Sequence, residues 1–440
     1  MKSNQRTRKI VMTAVAVLVT WFSMAARADL VIEITQGVES ALPVAIVPFR
    51  VVSAQSPGED LASIIAGDLE RSGEFAPLPT SRMLSLPSSG KDIYFKEWQL
   101  LGQRYLLVGQ VNVSLAEQQL TATYELYDVS SQQRILGERI AAPLDQPRRL
   151  AHRIADAVYE ALTGVKGVFS TRIAYVTLKQ TARGPQYALE VSDSDGRNAK
   201  TIARSAQPII SPAWSPDGRQ LVYVSFERNR RPAIFIQDVK TGTRRQIQQF
   251  RGLNSAPAWS PDGSRLALTL SKDGNAEIYV LDLTTNRLRR LTNHWAIDTE
   301  PSWSPDGREL VFTSDRGGGP QVYRMSAEGG APVRLTFEGR YNARPRFSTD
   351  GKTVYYVHQR DGAFHVAALD LESRETTILS DTDLDESPSV APNGKMVIYS
   401  TRQRNKGVLA VVSVVSGSRF LLPAPDGDVR EPAWSPWLEQ

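Results

Sequence analysis

The sequence predicts a small α/β domain followed by an all-β six-bladed β-propeller closed by the C-terminal strand. Two observations carry that prediction. First, a motif recurs through the second half of the chain. It runs Pro212-Ala-Trp214-Ser-Pro-Asp217-Gly218, then Pro257-Ala-Trp259-Ser-Pro-Asp262-Gly263, then Pro301-Ser-Trp303-Ser-Pro-Asp306-Gly307. Looser copies follow at Pro345-Arg-Phe347-Ser-Thr-Asp350-Gly351 and Pro388-Ser-Val390-Ala-Pro-Asn393-Gly394, and a partial one at Pro432-Ala-Trp434-Ser-Pro436. Successive prolines stand 45, 44, 44, 43 and 44 residues apart, a period in the range of a four-stranded propeller blade. Second, the array is incomplete at both ends in complementary ways. Arg172–Val176, Tyr187–Val191 and Lys200–Ala203 read as a second, third and fourth strand with no first. Trp434 begins a first strand with nothing behind it. Pairing the two makes six blades and shields the edge strands.

Each element of the repeat has a physical reason. The Trp or Phe supplies a large ring to fill the space between neighbouring blades. Ser-Pro-Asp-Gly is a turn, in which Pro presets φ, Ser and Asp oxygens bond nearby backbone, and Gly accepts φ > 0. A strand of β-branched and aromatic residues follows, as in Leu221-Val-Tyr-Val224 and Leu310-Val-Phe-Thr313. Ile278-Tyr-Val-Leu281, the hairpin Asp282–Asn286 and Arg289–Leu291 complete a blade. Residues found in every blade build the blade, so function is sought where blades differ. The divergent positions precede each proline: Ile210-Ser211, Leu253–Ala256, Ile297–Glu300, Tyr341–Arg344, Leu384–Ser387 and Asp428–Glu431. These are expected to form six loops gathered on one face around the central channel. Their mixture of charge and apolar groups suits a protein or peptide ligand.

Upstream of the array there is no repeat. Residues 1–28 contain Lys2, Arg6, Arg8, Lys9 and Arg27, no acid, and an apolar run from Ile10 to about Ala26. The order of basic, apolar and small residues reads as an export signal cut between Ala28 and Asp29. The full chain has 52 Lys+Arg against 47 Asp+Glu, a net charge of +5. Without the leader the count is 52 − 5 = 47 bases against 47 acids. The global basic field that would recruit nucleic acid disappears. The chain has no cysteine, which rules out disulfides, thiolate metal sites and a thiol nucleophile, and suits an oxidising compartment.

Residues 41–166 read as the α/β domain. Val44–Phe49 is a buried strand, Glu59–Arg71 a helix ended by Gly73, and Tyr105–Val113, Leu120–Val129 and Arg134–Ile140 are strands. Pro147–Leu162 is a second helix with Leu150, Ile154, Ala157, Val158 and Ala161 on one face. Gly167–Thr171 leads into the propeller, 170–440. Between the cut and this domain lies the 29–40 segment. Its strand-like start has Leu30, Ile32 and Ile34 on one face, and fits equally an edge strand of its own domain or a strand offered to another protein's sheet.

The residues do not assemble an active site. His152, His294, His358 and His365 are scattered, no Gly-x-Ser-x-Gly elbow or P-loop occurs, and Gly351-Lys-Thr353 lacks its upstream glycine. The chain reads as non-enzymatic, without a cofactor and monomeric. The competing reading, a periplasmic propeller enzyme or carbohydrate-binding protein, requires a convergent polar pocket. Asp298, Glu300, Asp385 and Glu431 are the carboxylates available to a calcium ion in the channel.

Over nearly the whole mature chain the sequence resembles the TolB family, periplasmic components of the Tol–Pal cell-envelope system. The more specific signs are Phe169-Ser-Thr-Arg-Ile-Ala-Tyr-Val176, Val191-Ser-Asp-Ser-Asp-Gly196 and Glu386-Ser-Pro-Ser-Val-Ala-Pro-Asn-Gly-Lys-Met-Val-Ile-Tyr-Ser400. The resemblance implies a non-enzymatic adaptor that supports envelope integrity and constriction at division. Its propeller mouth would bind the peptidoglycan-associated lipoprotein Pal through Ala256, Thr299 and Glu300. The neighbouring rim residues are Leu253, Asn254, Tyr341, Arg344, Glu386, Ser387, Arg430 and Glu431. Relatives often carry a histidine where Leu253 stands. Its mature N-terminus, here Asp29, Leu30, Val31, Ile32, Glu33, Ile34, Thr35, Gln36 and Gly37, would bind the C-terminal domain of TolA. Some colicins use the same mouth in related proteins.

Overall fold

A computed structural model gives the architecture of residues 41–423 and 426–438. The expected leader, its cut between Ala28 and Asp29, and the 29–40 segment lie outside the described residues. The first sheet has the order Phe75–Pro77, Leu42–Ile46, Tyr105–Ser114, Gln119–Asp128, Gln133–Pro143, with Arg50–Val51 also pairing onto the long strand from Tyr105. The three N-terminal strands of that order are parallel and the rest antiparallel.

Two helices cover one face. The first runs Leu61–Arg71, two residues later than the sequence pattern suggests, because the Asp60 carboxylate caps it by accepting from the Ala62 and Ser63 amides at 3.1 and 3.3 Å. The second, Pro147–Thr163, starts on a proline whose missing N–H costs nothing in the first turn. It stops at Gly164, φ 72°. The sequence pattern misses the strand Phe75–Pro77 and the helix Phe95–Leu100. Both are shorter than the windows in which periodicity is readable.

The propeller has six four-stranded sheets. Blades 1 to 5 open with the inner strands Ile209–Trp214, Asn254–Trp259, Asp298–Trp303, Asn342–Phe347 and Glu386–Val390. Blade 6 is assembled from both ends of the array: Asp428–Trp434 pairs antiparallel with Arg172–Thr181, putting Trp434 opposite Ile173 and Asp428 opposite Leu178. The tail therefore closes the ring as the incomplete ends predict. The repeated tryptophans sit between blades: Trp214 Nε1 donates to the Ala433 carbonyl at 3.0 Å, and Trp303 Nε1 to that of Ala258 at 3.1 Å.

Chain direction fixes which loops share a face. In each blade the turn from first to second strand and the turn from third to fourth lie at one end. The second-to-third loops and the blade-to-blade connections lie at the other. The α/β domain joins at the start of Arg172–Thr181, hence on the first of these faces. Its contacts agree: the Lys166 and Gly167 carbonyls accept from Asn393 and Trp437 at 3.2 and 2.8 Å, and Arg148 pairs with Asp195 in a third-to-fourth turn. One apolar core is continuous across the junction, from Ile154 and Val158 through Tyr159 and Phe169 to Ile173, Ile398 and Trp434. Among the described residues, nothing covers the opposite face, which carries the blade-to-blade connections.

Candidate functional site

The six divergent segments are not loops in full. Their last residues belong to the inner strands, and each contributes a β-bulge. In blade 1 the register passes from Ile210 opposite Val224 to Ala213 opposite Val222, so Ser211 and Pro212 together face Tyr223. The same slip recurs in all six blades. The residue before each proline has positive φ: Ser211 54°, Ala256 45°, Glu300 57°, Arg344 55°, Ser387 55° and Glu431 51°. None is glycine, so each carries backbone strain of about 1–3 kcal/mol. Proline fits beside it because a bulged position makes no ladder bond.

The bulges re-aim side chains toward the channel and link neighbouring blades there. Glu300 pairs with Arg344 at 3.0 Å and also accepts from the Thr313 hydroxyl and the Arg344 amide, each at 3.1 Å. Arg344 donates to Ser387 in the next blade. The Glu431 carboxylate accepts from the Ser211 amide, joining blades 6 and 1. Burial holds the Glu431 carboxyl above its ordinary value, against the downward pull of Arg344 and the Ser211 N–H. Burial pulls Arg344 down, but Glu300, Glu431 and Glu386 together outweigh it and raise the guanidinium. Arg344 feels carboxylates from three other blades, so these groups converge on the axis.

Other sequence-predicted residues have different surroundings. Asn254 is 1% exposed and spends its amide on the Phe250 and Gly252 carbonyls at 2.8 and 3.0 Å while accepting from the Phe250 amide. It shapes its loop and does not reach the surface. Tyr341 is half-buried, edge-on to Phe364 at 5.3 Å. Leu253, Glu386 and Arg430 are exposed, and Thr299 lies 3.4 Å from Thr269 of blade 2. The four carboxylates available to calcium are each taken separately. Asp298 binds Arg316 at 2.6 Å, Glu300 binds Arg344, Asp385 binds Ser380 and Thr382, and Glu431 binds Ser211. Among the described residues they form no common oxygen cage.

Sequence reasoning missed the aromatic part of the mouth. Trp295 is 77% exposed and Phe337 72%, and both stand on blade-to-blade connections beside the expected Ile297, Leu253 and Leu384. The available signal is that Trp295 falls outside the repeated motif, so no blade needs it. Also missed is a buried polar cluster between the domains. His152 Nδ1 lies 2.6 Å from Asp68, and Asp195 is flanked by His152 and Arg148. His152, Asp193 and Asp195 have metal-ligand spacing, but Arg148 already brings positive charge to Asp195. Such a cluster draws on three distant segments and leaves no spacing to read.

The fold and mouth define a class: an α/β domain carried on one face of a closed propeller whose other face, uncovered among the described residues, is charged at its axis and apolar at its rim. Family models describe the same two parts, a TolB amino-terminal domain over residues 30–135 and a TolB beta propeller domain over 159–438. The Tol-Pal system protein TolB of Hahella chejuensis is 62% identical over 423 residues, 96% of this chain and 98% of its own. That of Nitrosococcus oceani is 56% identical, covering 93% of this chain and 94% of its own. The crystal structure of TolB from Acinetobacter baumannii matches with a TM-score of 0.83 at 43% identity, covering 93% of this chain and all 100% of that one. The chain belongs to the TolB family and is a component of the Tol–Pal system. Among the described residues, no helix is long and apolar enough to cross a membrane.

Proposed function

We propose that the protein is a non-enzymatic periplasmic adaptor, exported by cleavage between Ala28 and Asp29, that binds Pal at the propeller mouth and the C-terminal domain of TolA through Asp29–Gly37. In that role it connects the inner and outer membrane parts of the Tol–Pal system and supports envelope integrity and constriction at division. One observation carries the reading: the α/β domain occupies one face of the propeller and leaves the mouth on the other. The mouth and the N-terminal segment then offer two separate sites on one chain. The mouth has the composition of a protein interface, exposed aromatic anchors beside a polar, hydrogen-bonded centre. Occupancy of one pole biases the other only if the first partner binds two states of the chain with different affinity.

The test is a crosslinking pull-down from envelopes with wild type, a variant lacking Asp29–Gly37, and Phe337→Asp. Phe337 is chosen over Glu300 because it is exposed and holds no blade together. The expected result is loss of TolA from the first variant and of Pal from the second. Retention of both partners by both variants would contradict the reading.

A further inference from the structure

The open face is divided in a way the net charge conceals. Its second-to-third-strand loops in blades 2, 3 and 4 are balanced: Lys272-Asp-Gly-Asn275, Asp315-Arg-Gly-Gly-Gly319 and Arg360-Asp-Gly362 each carry one base and one acid. Their bases are paired, Lys272 with Asp273 at 2.7 Å and Arg360 with Asp361 at 3.5 Å within their own loops, and Arg316 with Asp298 of the blade 3 inner strand. The exposed Trp295, Phe337 and Ile297 stand beside them. The corresponding loops of the three consecutive blades 5, 6 and 1 are Arg402-Gln-Arg-Asn-Lys406, Lys179-Gln-Thr-Ala-Arg183 and Glu227-Arg-Asn-Arg-Arg231. Their one acid, Glu227, is held by Arg244 at 2.7 Å. The connections flanking blade 5 add Asp381, paired with Arg419, Asp428, spent on the Gly407 amide and Arg430, and the exposed Asp383, Glu386 and Asp426, fewer acids than the bases of the three loops. Arg183, Arg228, Arg230, Arg231, Arg402 and Arg404 are exposed and have no side-chain partner among the described residues.

Turn chemistry does not account for Arg404 or Arg230. Arg404 and Asn405 form a two-residue hairpin tip with φ 48° and 67°, a conformation that favours Asn-Gly and disfavours a long side chain at the first place. Blade 4 meets the same demand with Asp361-Gly362. Arg230 likewise stands at φ 56°. At these two positions arginine stands where the backbone favours another residue.

We infer that the arc over blades 5, 6 and 1 is an electrostatic docking surface for an acidic protein surface, carried by the partner that seats its apolar part on blades 2 to 4. This inference rests on the proposed mouth–lipoprotein reading and adds the charge and orientation of the docked face. Unpaired arginines on rigid tips steer an acidic partner during encounter, and the apolar half then holds it. An anionic membrane would also be attracted, but a flat lipid surface would not account for confining the charge to half of the rim around an axis of paired charges.

The test is stopped-flow association of the full mature chain with the soluble domain of Pal, as a function of salt. Wild type is expected to associate about tenfold or more faster at 20 mM than at 500 mM salt, following the range of electrostatic steering. Arg228→Glu/Arg230→Glu/Arg231→Glu is expected to abolish most of that dependence while changing dissociation less than about twofold. Lys272→Glu, in the balanced half, should change the rate by less than about twofold. A triple variant with the wild-type rate and salt slope would overturn the inference while leaving the mouth reading intact. Arginine-dependent binding to phosphatidylglycerol vesicles that the Pal domain does not compete would overturn it in favour of a membrane. Absence of any wild-type binding to the Pal domain would instead remove the mouth reading on which it stands.

Discussion

The first-to-second-strand turns of blades 1 to 4 are copies of one another, and the chain reversals on the opposite face of the propeller are not. On the face toward the α/β domain, Ser215, Ser260, Ser304 and Ser348 donate to Asp217, Asp262, Asp306 and Asp350 at 2.5, 2.5, 2.6 and 2.5 Å. Each aspartate also accepts the amide two residues on. These turns satisfy their own polar groups. On the opposite face each connection is different, with Trp295 and Phe337 exposed, and the loops over blades 5, 6 and 1 carry arginines with no side-chain partner among the described residues. Repetition therefore marks what builds the ring, and irregularity marks what the ring presents.

The sharpest way to break that contrast is to damage the ring itself. Trp434→Ala removes a buried anchor of the closing strand, whose indole donates to Thr171 at 2.8 Å, and should cost about 3–5 kcal/mol of stability in denaturant unfolding. An unchanged midpoint would show that closure does not depend on this strand.

The domain junction should follow. Burial pulls the His152 imidazole down, but Asp68, Asp195 and Asp193 outweigh it and hold the group above its ordinary value of 6.5. Asp195 is pushed up by burial, yet His152, Arg71 and Arg148 bring it below its usual 3.8. A raised histidine contributes stability that is complete below its unfolded value and is lost as pH rises through the folded one. The depressed Asp195 contributes above its unfolded value and loses that as pH falls through the folded one. His152→Gln should therefore cost about 3 kcal/mol near pH 5.5 and distinctly less near pH 9. Equal losses at both pH values would place the effect in packing alone.

On the open face the pattern should reverse. Trp295→Ala and Phe337→Ala should each change stability by less than about 0.5 kcal/mol, yet weaken Pal binding about tenfold or more, as removal of exposed aromatic anchors does. Smallest of all is a single turn. Ser260, the Ser264 amide and other donors hold the Asp262 carboxyl down at about 2 against a slight upward effect of burial. Because the group is largely exposed, Asp262→Ala should cost at most about 1 kcal/mol above pH 4, a difference that fades as pH falls toward 2.

The fold was legible because the motif repeats and because the two partial blades complete each other. Element ends were less so: the Asp60 carboxylate, accepting from the Ala62 and Ser63 amides, decides where the first helix begins. The divergent segments were legible along the chain, but their conformation was not. Pro212 and its counterparts marked the place without disclosing that the residue before each one turns left-handed. Asn254 looked like a rim residue since burial cannot be read from one polar side chain. His152, Asp68 and Asp195 were invisible as a group because tertiary packing, not spacing, brings them together.

Hydrogen exchange of the mature chain with and without the soluble domain of Pal tests the division of the faces most directly. The account predicts protection at the inner-strand bulges and the connections around Leu253, Trp295 and Phe337, with the turns around Asp217, Asp262 and Asp306 unchanged. Protection of those turns and of the α/β domain, with none at the mouth, would contradict it.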